Sequence, residues 1–73
     1  MSLLRDNRAD LRESGAIGLG ELEDSRAINQ LSDALSRDTS GVVRMTAAWA
    51  LGAIEEKVAI DARPRRAPRL AIM

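Results

Sequence analysis

The sequence contains no cysteine and no histidine, and its single aromatic residue is Trp49. Without cysteine there is no disulfide and no thiolate ligand. Without histidine the chain lacks the commonest metal ligand and the commonest general base at neutral pH. The six serines Ser2, Ser14, Ser25, Ser32, Ser36 and Ser40 therefore have no imidazole to activate them, and no glycine-bearing elbow surrounds any of them. No catalytic residue, cofactor site or metal site is expected. No apolar run approaches the roughly 20 residues that cross a bilayer. The segment Met1–Arg12 interrupts its apolar residues with Arg5, Asp6 and Arg8, so neither a signal peptide nor a membrane span is read, and a cytoplasmic protein is expected. Net charge is also absent, with 11 basic and 11 acidic residues, but the balance hides a division. Residues 1–60 carry seven basic and ten acidic side chains, whereas Arg63, Arg65, Arg66 and Arg69 follow against Asp61 alone. An acidic body does not bind phosphates nonspecifically, so nucleic-acid binding would fall to the tail.

What is present is a hydrophobic fraction of 45% with 30% charged residues, a composition that collapses into a soluble globular chain. At 73 residues, however, one core is barely sufficient for independent stability. The organising feature is internal repetition. At an offset of 32, residues 3–28 match residues 35–60 at ten of 26 positions, among them Leu3/Leu35, Asp6/Asp38, Arg12/Arg44, Ala16/Ala48, Gly20/Gly52 and Glu23/Glu55.

Each unit reads as two helices. Ala27, Ile28, Leu31, Ala34 and Leu35 fall on one face of a helix over about 25–36, with Asp24 or Ser25 as its N-cap. Arg37–Gly41 is turn chemistry, after which Val43, Ala47, Ala50, Leu51 and Ile54 resume helical spacing over about 41–54, with an equivalent helix over about 9–22. Gly15, Gly18 and Gly20 weaken that earlier helix by about 1 kcal/mol each relative to alanine, and they reduce bulk where helices can approach. Gly18-Leu19-Gly20 lacks the third glycine of a dinucleotide fingerprint and is read as a packing feature.

Val43-Arg44 followed by Ala47-Ala48-Trp49-Ala50-Leu51-Gly52-Ala53-Ile54 and Ala59-Ile60 resembles the HEAT-like repeats of the phycobilisome-lyase type, over residues 3–60. The resemblance implies an all-α fold, an α-solenoid segment of about two helix-turn-helix repeats. It also implies that Asp6, Arg12, Asp38 and Arg44 form a structural ladder, in which each arginine bonds an aspartate of a neighbouring unit. The related arrays include bilin lyase subunits and a diiron hydroxylase, but the His-Glu pairs of the latter have no counterpart in a chain without histidine.

Other candidates are weighed by placement. Arg12 and Arg44 could grip anions bidentately, but each lies near the face of Leu19 or Leu51, which favours structural pairing with Asp6 and Asp38. The acidic pairs Glu23-Asp24 and Glu55-Glu56 diverge in direction, and capping of the following helix explains them better than acid–base chemistry or a divalent ion. Trp49 and Met45 lie opposite Val43, Leu51 and Ile54, as Ile17 does in the preceding unit. Ile17, Met45 and Trp49 are therefore the candidate surface for a protein partner, the competing reading being that they pack between repeats.

The pattern breaks after Ile60, where Pro64 and Pro68 stop any further helix and residues 61–73 read as an irregular basic tail. Its arginines have no interleaved aromatics for base stacking. Codons for the tail can also be chosen so that another frame encodes Arg-Asp-Ala-Leu-Arg-Asp-Ser-Arg, which continues the repeat. The expected function is a noncatalytic protein-interaction scaffold belonging to a longer array or associating through uncapped repeat ends. A bilin-lyase-like subunit and a tail-dependent nucleic-acid binder are the alternatives.

Overall fold

The computed structural model describes residues 3–62. The expectation for the basic tail lies, from Arg63 onward, outside them. Within them the chain is all α: a 3-10 turn at Leu3–Arg5, helix α1 at Ala9–Leu22, a second 3-10 turn at Ser25–Ala27 leading into α2 at Ile28–Arg37, and α3 at Gly41–Asp61. By the repeat offset, Leu3–Arg5 corresponds to the last turn of α2, and α1 corresponds to α3.

The helical faces follow from spacing. On α3 the buried residues are Val43, Ala47, Ala50, Leu51 and Ile54, the set that recurs at helical period. Ala47, Ala50, Leu51 and Ile54 meet Ala16 of α1 and Ala27 and Leu31 from the α2 segment in one core, with Leu4, Leu19, Ile28 and Ala34 packed at its margin. Among the described residues no polar or charged residue belongs wholly to the interior, Asp38 and Arg12 being half-buried at its edge. Half of the eight buried apolar residues are alanines, so the core is thin and each larger member carries a large share of the burial.

Small residues set the helix spacing at two points. A Cβ at Gly20 would stand 2.9 Å from Ala50 Cα and 2.6 Å from the Trp49 ring, so α1 and α3 approach backbone to backbone there. A Cβ at Gly15 would stand 2.8 Å from Leu3 Cβ, which lets the first 3-10 turn lie on α1. Gly18 differs from expectation, because a Cβ there would meet nothing within 4 Å. It is a helix-weakening residue on an open face rather than a packing feature.

Three expected boundaries are corrected. The helix expected from residue 25 begins as a 3-10 turn, because the Asp24 side chain accepts from Arg26 N and tightens the entry, and it ends at Arg37. The helix expected to end near 54 runs to Asp61, so Asp61 belongs to α3 and not to the tail. Nothing local stops it, since Glu55, Glu56 and Lys57 are good helix formers, Lys57 donates to Asp61 at 2.9 Å one turn on, and the first breaker is Pro64. The expectation that Glu55-Glu56 cap a following helix therefore fails, because both lie in the interior of α3.

Candidate interaction surface

Two features bring the chemically distinctive side chains together: an ion-pair rung joining the repeats, and an apolar groove across α1 and α3.

The rung centres on Asp38, at the turn between α2 and α3. Arg12 Nε donates to Asp38 Oδ2 at 2.8 Å and Arg12 Nη2 to Asp38 Oδ1 at 3.0 Å, a bidentate pair that joins α1 to the next repeat. The same guanidinium donates through Nη1 to the carbonyls of Asp6 and Asn7, each at 3.0 Å. Asp38 Oδ1 also accepts from Ser40 N at 2.9 Å, which holds the turn closed ahead of α3. Ser40 in turn accepts from Val43 N as the N-cap of that helix. The Asp38 and Arg12 side chains are only 8% and 15% exposed. The arginine hydrogen bond, with a smaller contribution from Ser40 N, draws the Asp38 carboxyl below its ordinary value against the opposing effect of burial.

Thus Arg12 takes its carboxylate from the neighbouring unit, and Asp6 supplies it only a backbone carbonyl. The second unit repeats part of this geometry: Arg44 Nη1 donates to Asp38 O at 2.7 Å, as Arg12 does to Asp6 O. Likewise Asp6 Oδ1 accepts from Arg8 N, as Asp38 does from Ser40 N. Among the described residues, however, Arg44 makes no ion pair with a carboxylate, and Asp6 makes none with a cation.

The groove lies across α1 and α3, lined by Ile17, Glu21, Met45, Thr46 and Trp49, with a volume of about 420 Å³. Ile17, Met45 and Trp49 are 38%, 67% and 50% exposed, so the three candidate surface residues are brought together at the surface. Trp49 is held from one side, since its ring lies against α1 at Gly20. Glu21 and Thr46, which supply the polar lining, carry no sequence signal of their own beyond lying one turn from Ile17 and Trp49 respectively.

The acidic pairs separate. Glu23 ends α1 in the left-handed conformation, and its N–H donates to the carbonyls of Leu19 and Gly20. Asp24 accepts from Arg26 N at 2.9 Å and from the Arg26 guanidinium, which together draw its carboxyl down to about 2. Glu55 and Glu56 stay exposed on α3. Ser14 and Ser36 donate to carbonyls one turn back, at Asp10 and Ser32. Among the described residues no cluster of acidic side chains could hold a metal ion, and no helix is long and apolar enough to cross a membrane.

The arrangement can hold a partner by shape and apolar contact. No curated protein matches the sequence. A family model describing HEAT repeats matches residues 1–62, a family whose members commonly serve as protein-interaction scaffolds and are generally not enzymes. With that match spanning both units, and an interrepeat arginine–aspartate rung joining helices of an all-α array, the chain belongs to the HEAT repeats.

Proposed function

We propose that this chain is a noncatalytic, cytoplasmic scaffold segment that docks a protein partner in the groove of Ile17, Met45 and Trp49. The observation that carries the reading is that the exposed Ile17 of α1 and the exposed Met45 and Trp49 of α3 line one concavity, with Trp49 already braced against Gly20. Tryptophan and methionine are favoured anchors because they bury large, polarizable area at modest entropic cost. The carboxylate of Glu21 at the rim suits a basic residue beside the partner's apolar anchor.

Peptide selection on the purified chain tests this, with the Met45→Glu variant as counter-selection because Met45 is largely exposed and its replacement leaves the core alone. The expected result is enrichment of apolar peptides flanked by lysine or arginine that shift the emission of Trp49 and do not bind the variant. Peptides that bind both proteins equally would place the docking surface elsewhere. Within the family we place the chain with the phycobilisome-lyase type, on the motif from Val43 to Ile54. Absorbance of a bilin mixed with the purified chain checks the lyase-like alternative.

A further inference from the structure

The internal contact between α1 and α3 defines a mould and a cast, and among the described residues each reappears unfilled, the mould on α3 and the cast on α1. On the mould side, Ala16 and Gly20 of α1 are buried, with Gly20 against Ala50. Their counterparts one repeat on, Ala48 and Gly52 of α3, are exposed, and a Cβ at Gly52 would meet nothing within 4 Å. On the cast side, Ile54 of α3 is fully buried, yet its counterpart Leu22 on α1 is 73% exposed. Gly18, the counterpart of Ala50, likewise faces open space. The ion pair follows the same logic: Arg12–Asp38 is a complete rung, Arg44 stands ready for a carboxylate at the next position, and Asp6 stands ready for a cation at the preceding one. In sequence, the position one repeat beyond Asp38 is Leu70, which has no carboxylate to give.

We propose that a second copy of this chain stacks head to tail on the first, its α1 lying on α3 as α3 lies on α1. Asp6 of the second copy then accepts from Arg44 as Asp38 accepts from Arg12, and Leu22 of the second copy is covered as Ile54 is. Charge complementarity selects this occupant: among the described residues, Arg44 on one side makes no ion pair with a carboxylate and Asp6 on the other makes none with a cation, while both keep the backbone hydrogen bonds that the complete rung also has. The contact is heterologous, so it leaves both outer faces free and propagates into an open filament rather than closing as a symmetric dimer. The proposal rests on the scaffold reading but uses the ends of the array instead of the Trp49 groove, so the two fail separately.

Sedimentation and far-ultraviolet circular dichroism of the full chain over a wide concentration range test it. Mass and helicity are expected to rise together, because each copy completes the packing of the next. Asp6→Arg and Arg44→Glu each place like charges in the contact and are expected to weaken association by more than about tenfold. An equimolar mixture of the two variants re-creates opposite charges at every contact and is expected to associate again. Gly52→Leu, at a position with no internal neighbour, is expected to keep the helices and abolish association. A chain that stays monomeric at all concentrations, folded or unfolded, overturns the proposal. So does association that persists unchanged in both charge variants or in Gly52→Leu, or a mixture that fails to restore it while each variant remains helical.

Discussion

Residues Leu22–Arg26 and Ile54–Val58 occupy the same place in the repeat, and they fold in opposite ways. In the first, α1 ends, Glu23 turns left-handed at φ 52°, and Asp24 folds its carboxylate onto Arg26 N to open the next segment. In the second, α3 continues without interruption to Asp61. Asp24 becomes Glu56, Ser25 becomes Lys57, and Arg26, the partner of Asp24, becomes Val58, while Leu22 becomes Ile54 and the glutamate is kept. Aspartate and serine can hydrogen-bond nearby backbone and so compete with the helix, whereas glutamate and lysine have longer side chains and favour it. The burial differs in step. After the first turn, Ala27 and Leu31 reach the core and hold the chain in its reversal, but Ala59 and Ile60 remain exposed on α3. A turn in this repeat thus needs both a short capping side chain and something to pack against on the far side.

The largest effect should separate the two ends of the same comparison. Ile54→Ala removes a fully buried side chain from a core made half of alanine and is expected to cost about 2–5 kcal/mol. Leu22→Ala, one repeat earlier, is expected to stay within about 0.5 kcal/mol because that side chain is exposed. Urea unfolding at a concentration too low for association measures both. Equal losses would mean that Leu22 is covered in the isolated molecule.

Acid should break the rung next. A depressed carboxyl pKa stabilises the fold above the unfolded value of 3.8, and that contribution is lost as pH falls through the folded value. The unfolding midpoint of the wild type should therefore fall on acidification below that value, with Asp24 adding to the loss down to about 2. Asp38→Asn should be less stable at pH 7, because Arg12 loses its bidentate anion, and should lose less on acidification. Parallel acid limbs in the two proteins would remove Asp38 from the account.

The paired glycines give a smaller contrast of opposite sign. Gly20→Ala forces a methyl within 2.9 Å of the Ala50 backbone and is expected to destabilise by about 1–3 kcal/mol. Gly52→Ala meets open space and gains helix propensity, about 1 kcal/mol in favour of folding. Thermal melts of the two variants should move in opposite directions.

These pairs also mark what could be read before any coordinates. The inward face of α3, Val43 through Ile54, was legible because burial and helical period coincide at every one of its members. Ile17 on α1 and Met45 and Trp49 on α3 were legible as apolar residues lying opposite the inward face of their helices. The end of α3 was not, because the repeat match at Glu23/Glu55 and Asp24/Glu56 preserves charge while altering the length that decides capping. Nor was the idleness of Gly18, since a glycine at a contact and a glycine on an open face are the same letter. The partner of Arg12 followed from the resemblance to ladder-forming repeats, whereas spacing alone pointed equally to Asp6.

The finest contrast uses one substitution at both copies of a single position. Glu23 holds the left-handed conformation that glycine adopts without the steric cost of a Cβ, so Glu23→Gly is expected to stabilise by up to about 1 kcal/mol. Glu55 is helical in the interior of α3, where glycine is disfavoured, so Glu55→Gly is expected to destabilise by about 1 kcal/mol. The two side chains are both exposed, which leaves the backbone as the main difference between them. Opposite shifts in the urea midpoint would show that the two repeats diverge here through backbone conformation. Shifts of the same sign would show that α3 does not persist through residue 55 in solution, and that the second repeat turns where the first one does.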